Sequence, residues 1–336
     1  MLLPVGKLRA EALGALLDKH PVKDTRVVVG PKIGEDAAVI DLGDRYLIAT
    51  ADPITFATDE AAWYAVQVNA NDVVVRGARP RWFLATLLLP EGRTSDEGVA
   101  ALFDALAEAC DELGVALVGG HTEITHGIDR AIIAGTMLGE VPKDKLVTTG
   151  GAQIGDAVVM TKGVPLEGAA IIAREKEMEL RARGVRGAVI ERAKRFLRSP
   201  GISVAPEAEI ACEVGTVHAM RDPTEGGIAT ALRELAAAAG VGLRIDRDRI
   251  MIVPEAAELC RAFDLDPLGT IASGALLMTL APVDAGLVLH ALAREGIDAH
   301  FIGRVVPAAE GVTLVDGTRR WPMPEFPRDE ITKIFA

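Results

Sequence analysis

The sequence predicts an α+β protein of two domains, on three observations. The chain has 336 residues, 49% of them apolar, too many for one small core and enough to fill two. Strand-like and helix-like segments interleave without the regular alternation of a doubly wound sheet. The stretch TTGGAQIGD at 148–156 has the Gly and Thr content of a linker, which places the boundary between a domain of residues 1–149 and one of 150–336.

The elements follow in order from the periodicity of apolar residues. Residues 7–19 read as a short amphipathic helix, and VVV (27–29), AAVIDL (37–42) and YLIATA (46–51) as strands. A helix is expected over 59–77, a buried strand at WFLATLLL (82–89), and a helix over 96–113 with Val99, Leu102, Leu106, Cys110 and Leu113 on one face. Strands at VALV (115–118) and AIIAGTML (131–138) complete the first half. The second half reads as strand 157–161, helices over 167–183, 186–198 and 205–214, strand VHAM (217–220) and a helix over 227–239. It closes with strand GLRID, a helix near 255–263, strand ALLMTL (275–280), helix 284–295 and strand HFIGRVV.

Composition narrows the function. The net charge is −12, basic tracts are absent and 4% of residues are aromatic, so nucleic acid is not an expected partner. No apolar run approaches the roughly 20 residues a membrane helix needs, and MLLPVGKLRAEALGALL is broken by Pro4, Lys7, Arg9 and Glu11, unlike a signal peptide. A cytoplasmic protein is expected. The three cysteines, Cys110, Cys212 and Cys260, are widely spaced and read as reduced core residues.

Four acids stand at places where chemistry could collect. GEDAAVI sets Asp36 just before a strand, ATADPITF sets Asp52 at the end of another, NANDVVVRGARP carries Asp72 on a helix, and MRDPTEGG sets Asp222 after VHAM. Each of Asp36, Asp52 and Asp222 also suits an ordinary turn. Asp72 is different, because Val68 and Val75 share its helical face and a carboxylate out of water needs a cation or several donors. The two histidines of VGGHTEITH are five apart, not the four of a helical zinc pair, and the paired glycines suggest a tight turn where backbone N–H groups approach a ligand. DPTEGGIATALREL places two glycines at the start of a helix, whose N-terminus favours an anion. No P-loop and no strand-linked G-x-G-x-x-G occurs, so a nucleotide would need another device, with a divalent cation between the acids and the phosphates.

GEDAAVI, ATADPITF, NANDVVVRGARP, VGGHTEI, RDPTEGGIATAL and DPLGTIASGALLMTL, in this order and spacing, resemble the superfamily named for aminoimidazole ribonucleotide synthetase, over about residues 33–306. The resemblance implies a first domain whose sheet joins that of a second copy in a barrel at a homodimer axis, an α/β second domain, and ATP in the cleft between domains. It matches Asp36, Asp52, Asp72 and Asp222 to aspartates that hold Mg²⁺ against the triphosphate. It matches Asn71, the Gly119-Gly120-His121-Thr122 turn, Thr224, Gly226 and Gly227 to segments lining the nucleotide. The implied chemistry is transfer of the γ-phosphoryl group to a small acceptor, often an amide-type oxygen; no catalytic general base is identified.

Within the superfamily the layout is nearest the hydrogenase-maturation branch. That branch acts on a cysteine at its own C-terminus, whereas this sequence ends EITKIFA with Cys260 its last cysteine, so a different acceptor is expected. A small-molecule kinase of the thiamine-monophosphate type and a non-catalytic ATP-binding partner are the alternatives. Arg76, near Asp72, reads as a phosphate contact or as the ion-pair partner of Asp72, the second being preferred.

Overall fold

The computed structural model describes residues 6–8, 10–55 and 60–335; the expected helix start at residue 59 and the head of the chain fall outside them. In chain order the elements are α1 (Ala10–Leu17), β1 (Val27–Val29), β2 (Ala38–Asp41), β3 (Arg45–Ile54), α2 (Ala61–Val74), β4 (Arg79–Pro90), α3 (Asp96–Leu113), β5 (Ala116–Thr125) and β6 (Ile132–Pro142). There follow β7 (Ala157–Thr161), α4 (Leu166–Glu175), α5 (Glu177–Ala182), α6 (Gly187–Lys194), α7 (Ala205–Val214), β8 (Val217–Arg221) and α8 (Gly227–Ala239). The last elements are β9 (Gly242–Asp246), α9 (Pro254–Ala262), β10 (Leu277–Leu280), α10 (Pro282–Arg294), β11 (Ala299–Val306), β12 (Val312–Asp316) and β13 (Arg319–Pro322). They form two compact bodies: residues 23–30 with 36–146, and the rest, including 31–35 and the segment before Lys23.

The first body is a six-stranded sheet in the order β1-β2-β3-β6-β4-β5, antiparallel except for the parallel β4–β5 pair. It is an open sheet with β1 and β5 at its edges, not a closed barrel. Side chains alternate across a strand, so Phe83, Ala85, Leu87 and Leu89 of β4 and Ile133 and Met137 of β6 are buried on one face. Helix α2 lies on that face against β3, β6 and β4 with α3 beside it, and every one of its residues is buried. The opposite face carries Leu84, Thr86, Leu88, Ile132 and Leu138, all only partly covered. Helix α3 begins where Ser95 Oγ accepts the Gly98 N–H at 3.1 Å and ends at Gly114 in the left-handed region, φ 63°.

The second body is a seven-stranded sheet in the order β13-β12-β9-β11-β7-β10-β8, antiparallel apart from the β9–β12 pair. Its core joins Val158 and Met160 of β7, Leu243 and Ile245 of β9 and Leu277 of β10 to Ile228, Leu232 and Leu235 of α8.

The two-domain α+β expectation stands, and several local expectations change. The single helix expected over 167–183 is two, α4 and α5, because Lys176 between them leaves the helical conformation at φ −123° and ψ 25°. Strand β3 runs on through Asp52 and Pro53 to Ile54, because Asp52 still pairs with Gly135 of β6. The Gly119–Thr122 stretch is not a turn but the middle of strand β5, lying opposite Leu84 to Leu87. A Cβ at Gly120 would lie on the Ala85 carbonyl, so the approach of β4 alone requires a glycine here. In TTGG, Thr149 is buried, a Cβ at Gly150 would come 2.9 Å from Ala238 O, and one at Gly151 would meet His218 O, so this segment is packed rather than free. Strands β12 and β13 form a hairpin that the sequence pattern missed.

Candidate functional site

In the first body, Asp72 and Asp36 come together. Asp72 sits in the last turn of α2, 1% exposed, and Asp36 stands two residues before β2. Ligand oxygens of the two carboxylates lie within 4.8 Å of each other. Thr50 of β3, buried on the same sheet face as Ile48, donates from Oγ1 to Asp72 Oδ2 at 2.6 Å, and that hydroxyl is also 3.0 Å from Asp36 O. Arg76, fully buried after the end of α2, reaches Asp36 Oδ2 with Nη2 at 3.8 Å. The guanidinium expected at Asp72 thus stands beside this acid pair.

Two carboxylates at this separation repel each other unless donors or positive charge meet them, and the Thr50 hydroxyl and the Arg76 guanidinium are among the groups that do. An all-oxygen donor set of this kind suits a small hard cation, Mg²⁺ before a transition metal.

The helix is fixed to the strand by Asn69, three residues before Asp72, which the sequence reading did not single out. Its Oδ1 accepts the Asp52 N–H at 2.9 Å, and its Nδ2 donates to Ala65 O at 2.8 Å and Asp52 O at 3.2 Å. Gly135, opposite Asp52, is obligatory here, since a Cβ would come 2.5 Å from Asn69 Nδ2 and 2.7 Å from the Phe83 ring. Asp52 itself is half-buried and does not join the Asp36–Asp72 pair. Asn71 is fully buried within α2. Gly119, Gly120, His121 and Thr122 are exposed on edge strand β5, with His121 Nε2 3.4 Å from Glu123 Oε2. The signal for Asn69 was present in the repeated Asn of NAND; Thr50 gave none beyond its place in a strand.

In the second body, Asp222 follows the last residue of β8 and is 1% exposed. Its neighbour Arg221 donates from Nη1 to Gly34 O at 2.9 Å and pairs with Glu234 of α8 at 2.6 Å. Thr224, Gly226 and Gly227 lead into α8, with Gly226 and Gly227 both left-handed, φ 80° and 64°. The Gly226 N–H does not point to solvent but to Asp329 Oδ2 at 2.6 Å. Burial, first, and the charge of Glu225 among other causes push the Asp329 carboxyl up to about 6. Glu167, at the start of α4, accepts the Ser273 N–H at 3.2 Å, and its burial pushes it up to about 8. Neither Glu167 nor Asp329 was singled out by the sequence, because nothing local marks an acid as buried. Burial raises Cys110 to about 11 and Cys260 to about 12, which removes both as thiolates at neutral pH.

Comparison with known proteins places these two bodies. Residues 34–141 match the N-terminal domain of AIR synthase related proteins and residues 153–316 the C-terminal domain, and the chain belongs to this family. Among its relatives, a putative hydrogenase expression/formation protein of Methanocaldococcus jannaschii is 28% identical over 95% of this chain and 94% of its own length. The carbamoyl dehydratase HypE of Cupriavidus necator is 29% identical over 81% of this chain and 77% of its own. The structure of Escherichia coli HypE superposes with a TM-score of 0.73 at 25% identity, covering 92% of this chain and 95% of that one. A HypE in complex with ATP superposes with a TM-score of 0.70 at 25% identity, covering 90% and 92%. A thiamine-monophosphate kinase from Aquifex aeolicus shares the fold, with a TM-score of 0.65 at 22% identity, covering 84% and 92%. Among the described residues no helix is long and apolar enough to cross a membrane.

Proposed function

We propose that this protein is an ATP-dependent enzyme that uses Mg²⁺ and transfers the γ-phosphoryl group of ATP to an oxygen of a small acceptor, of the amide or acyl type. The observation that carries the reading is the Asp36–Asp72 pair, two carboxylates brought within 4.8 Å in a family that includes an ATP-bound relative of the same fold. Asp36 and Asp72 are assigned to Mg²⁺, together with Asp222 and Asp52 from the matching motifs. The ion, when bound, would supply neutralisation of the triphosphate charge.

The chain's own residues prepare for it. Thr50 fixes one oxygen of Asp72, Asn69 locks α2 to β3 so that this oxygen keeps its place, and Arg76 restrains Asp36. Transfer then rests on positioning and electrostatics rather than on a dedicated base. Asn71, Gly119, Gly120, His121, Thr122, Thr224, Gly226 and Gly227 remain the proposed nucleotide-lining residues.

The proposal extends to assembly. The partly covered apolar face of the first sheet, with Val118 and Ile124 exposed on the β5 edge and Val28 on β1, is what a second copy would cover in a homodimer. The test of the function is ADP release by the pure protein with Mg²⁺ and ATP across a panel of small amides, carboxylates and phosphate esters. Acceptor-dependent ADP release is expected, and none with any acceptor, or the same rate in EDTA, overturns it.

A further inference from the structure

The residues after β13 run back over the DPTEGG turn and the DPLGTIASG loop and fasten both. Phe326 packs on Gly269, where a Cβ would come 2.5 Å from its ring. Glu330 Oε2 accepts the Asp266 N–H at 2.9 Å, and Asp266 Oδ1 in turn accepts the Leu268 N–H at 2.9 Å. Between these anchors, the buried Asp329 carboxylate accepts the Gly226 N–H at 2.6 Å and the Ile331 N–H at 2.8 Å, and the Ile271 amide also bonds to it. One carboxylate therefore joins two loops some 45 residues apart in sequence.

The turn that it holds is closed locally by the Gly227 N–H on Thr224 O at 3.0 Å, and Asp329 adds a tie from outside it. Gly226 and Gly227 are successive left-handed residues, a conformation in which glycine gains nothing over its other wells and loses much entropy on ordering. The turn is also pressed against the loop that Asp329 reaches, since a Cβ at Gly227 would come 2.5 Å from Leu268 O and 2.8 Å from Thr270 O. Nearby negative charge makes this an unfavourable place for another acid: Glu225 adds to its raised carboxyl, and Glu167 is buried close by. The backbone N–H groups outweigh that cost only while both loops keep their shape.

We infer that Asp329 is a positioning residue for the phosphate end of the nucleotide: through Gly226 it sets the direction of the first turn of α8. The inference rests on the proposed ATP reading and adds to it a requirement for the strap of residues 323–331. Asp329→Asn keeps the shape and one acceptor oxygen but removes the charge. Calorimetry of the full chain with Mg-ATP and with adenosine should then show Mg-ATP binding weakened about 10-fold and adenosine binding unchanged. A purely structural role would weaken both alike. Deuterium uptake should rise at 224–228 and 268–272 and stay constant in β7 and β10. Phe326→Ala, which loosens the strap without touching the carboxylate, serves as second variant if Asp329→Asn does not fold, with the same selective loss expected. Unchanged Mg-ATP affinity in a folded variant, or equal loss for adenosine, overturns the positioning role alone. Failure of the unaltered protein to bind Mg-ATP overturns the ATP reading and this inference with it.

Discussion

Glu167→Gln isolates a strongly perturbed acid of the second body. Glu167 is buried at the start of α4 with its oxygen on the Ser273 N–H, and its carboxyl is raised from 4.5 to about 8, first by burial. A raised folded-state pKa means that the native protein holds this proton more tightly than the unfolded chain does. The stability Glu167 contributes is therefore complete below about pH 4.5 and drains away as pH rises through about 8. With these two values, linkage gives a loss of about 3 kcal/mol between pH 6 and pH 9, the difference growing by about 1.4 kcal/mol per pH unit until the native carboxyl ionises. Glutamine keeps the acceptor for Ser273 and has no proton to lose. Urea unfolding of both proteins at pH 6 and pH 9 should show the unaltered chain losing about 3 kcal/mol more than the variant, roughly 1 M in midpoint at an m of about 3 kcal/mol/M. Groups remote from Glu167 titrate alike in the two proteins, so the difference belongs to Glu167 and to the acids coupled to it, Glu225 and Asp329. Parallel pH profiles would refute the assignment of a buried, protonated acid.

Asp72→Asn should abolish Mg-ATP turnover, by about 100-fold or more, while the melting temperature stays within a few degrees, because removing one of two crowded carboxylates relieves repulsion; a large fall in melting temperature with turnover intact would make Asp72 a structural residue. Calorimetry with ATP should show binding in Mg²⁺ and at least about 10-fold weaker binding in EDTA; equal affinities would rule out the ion. Gly120→Ala should destabilise the first body by about 2 kcal/mol or more, since the new methyl meets the Ala85 carbonyl across the β4–β5 pair; an unchanged unfolding midpoint would contradict that close approach. Light scattering should give a mass near twice 35.4 kDa, reduced to the monomer by Leu88→Glu on the partly covered sheet face and unchanged by Leu287→Glu on the exposed side of α10; a monomer for the unaltered protein at micromolar concentration would refute the dimer.

Much of the fold was legible because long, periodic segments report their own burial. Helix α3 and strands β7 and β9 fall on the residues their patterns mark, and the 227–239 helix coincides with α8. What the pattern misplaced was extension and exposure. AT-AD-PI looked finished at Asp52, since aspartate and proline usually end strands, yet pairing to Gly135 carries β3 on to Ile54. VGGHTEIT looked like a turn, since paired glycines usually buy conformational freedom. At Gly120 the requirement is instead for absent bulk beside Ala85, a fact located on another strand.

The site divides in the same way. Asp72 was legible because an acid among valines on a helical face is a local contradiction; the structure meets it with the Thr50 hydroxyl and sets a second acid, Asp36, beside it. Asn69 and Thr50 were not, although Asn69 ties the helix to β3 and Thr50 bonds to Asp72: their value comes from strands β3 and β6 meeting α2, and no single window of sequence contains that meeting. Asp329 is the extreme case. It stands more than a hundred residues from Gly226, in a segment to which the sequence pattern assigned no element, and its meaning comes from its own strap's Ile331 amide and from two amides on separate loops that only the folded second body brings to one carboxylate. Residues that supply charge to a site betray themselves by being out of place in their own segment, whereas residues that hold such charges in position look ordinary there. Mutational scans of this protein guided by sequence alone would accordingly find Asp36 and Asp72 and pass over Asn69, Thr50 and Asp329.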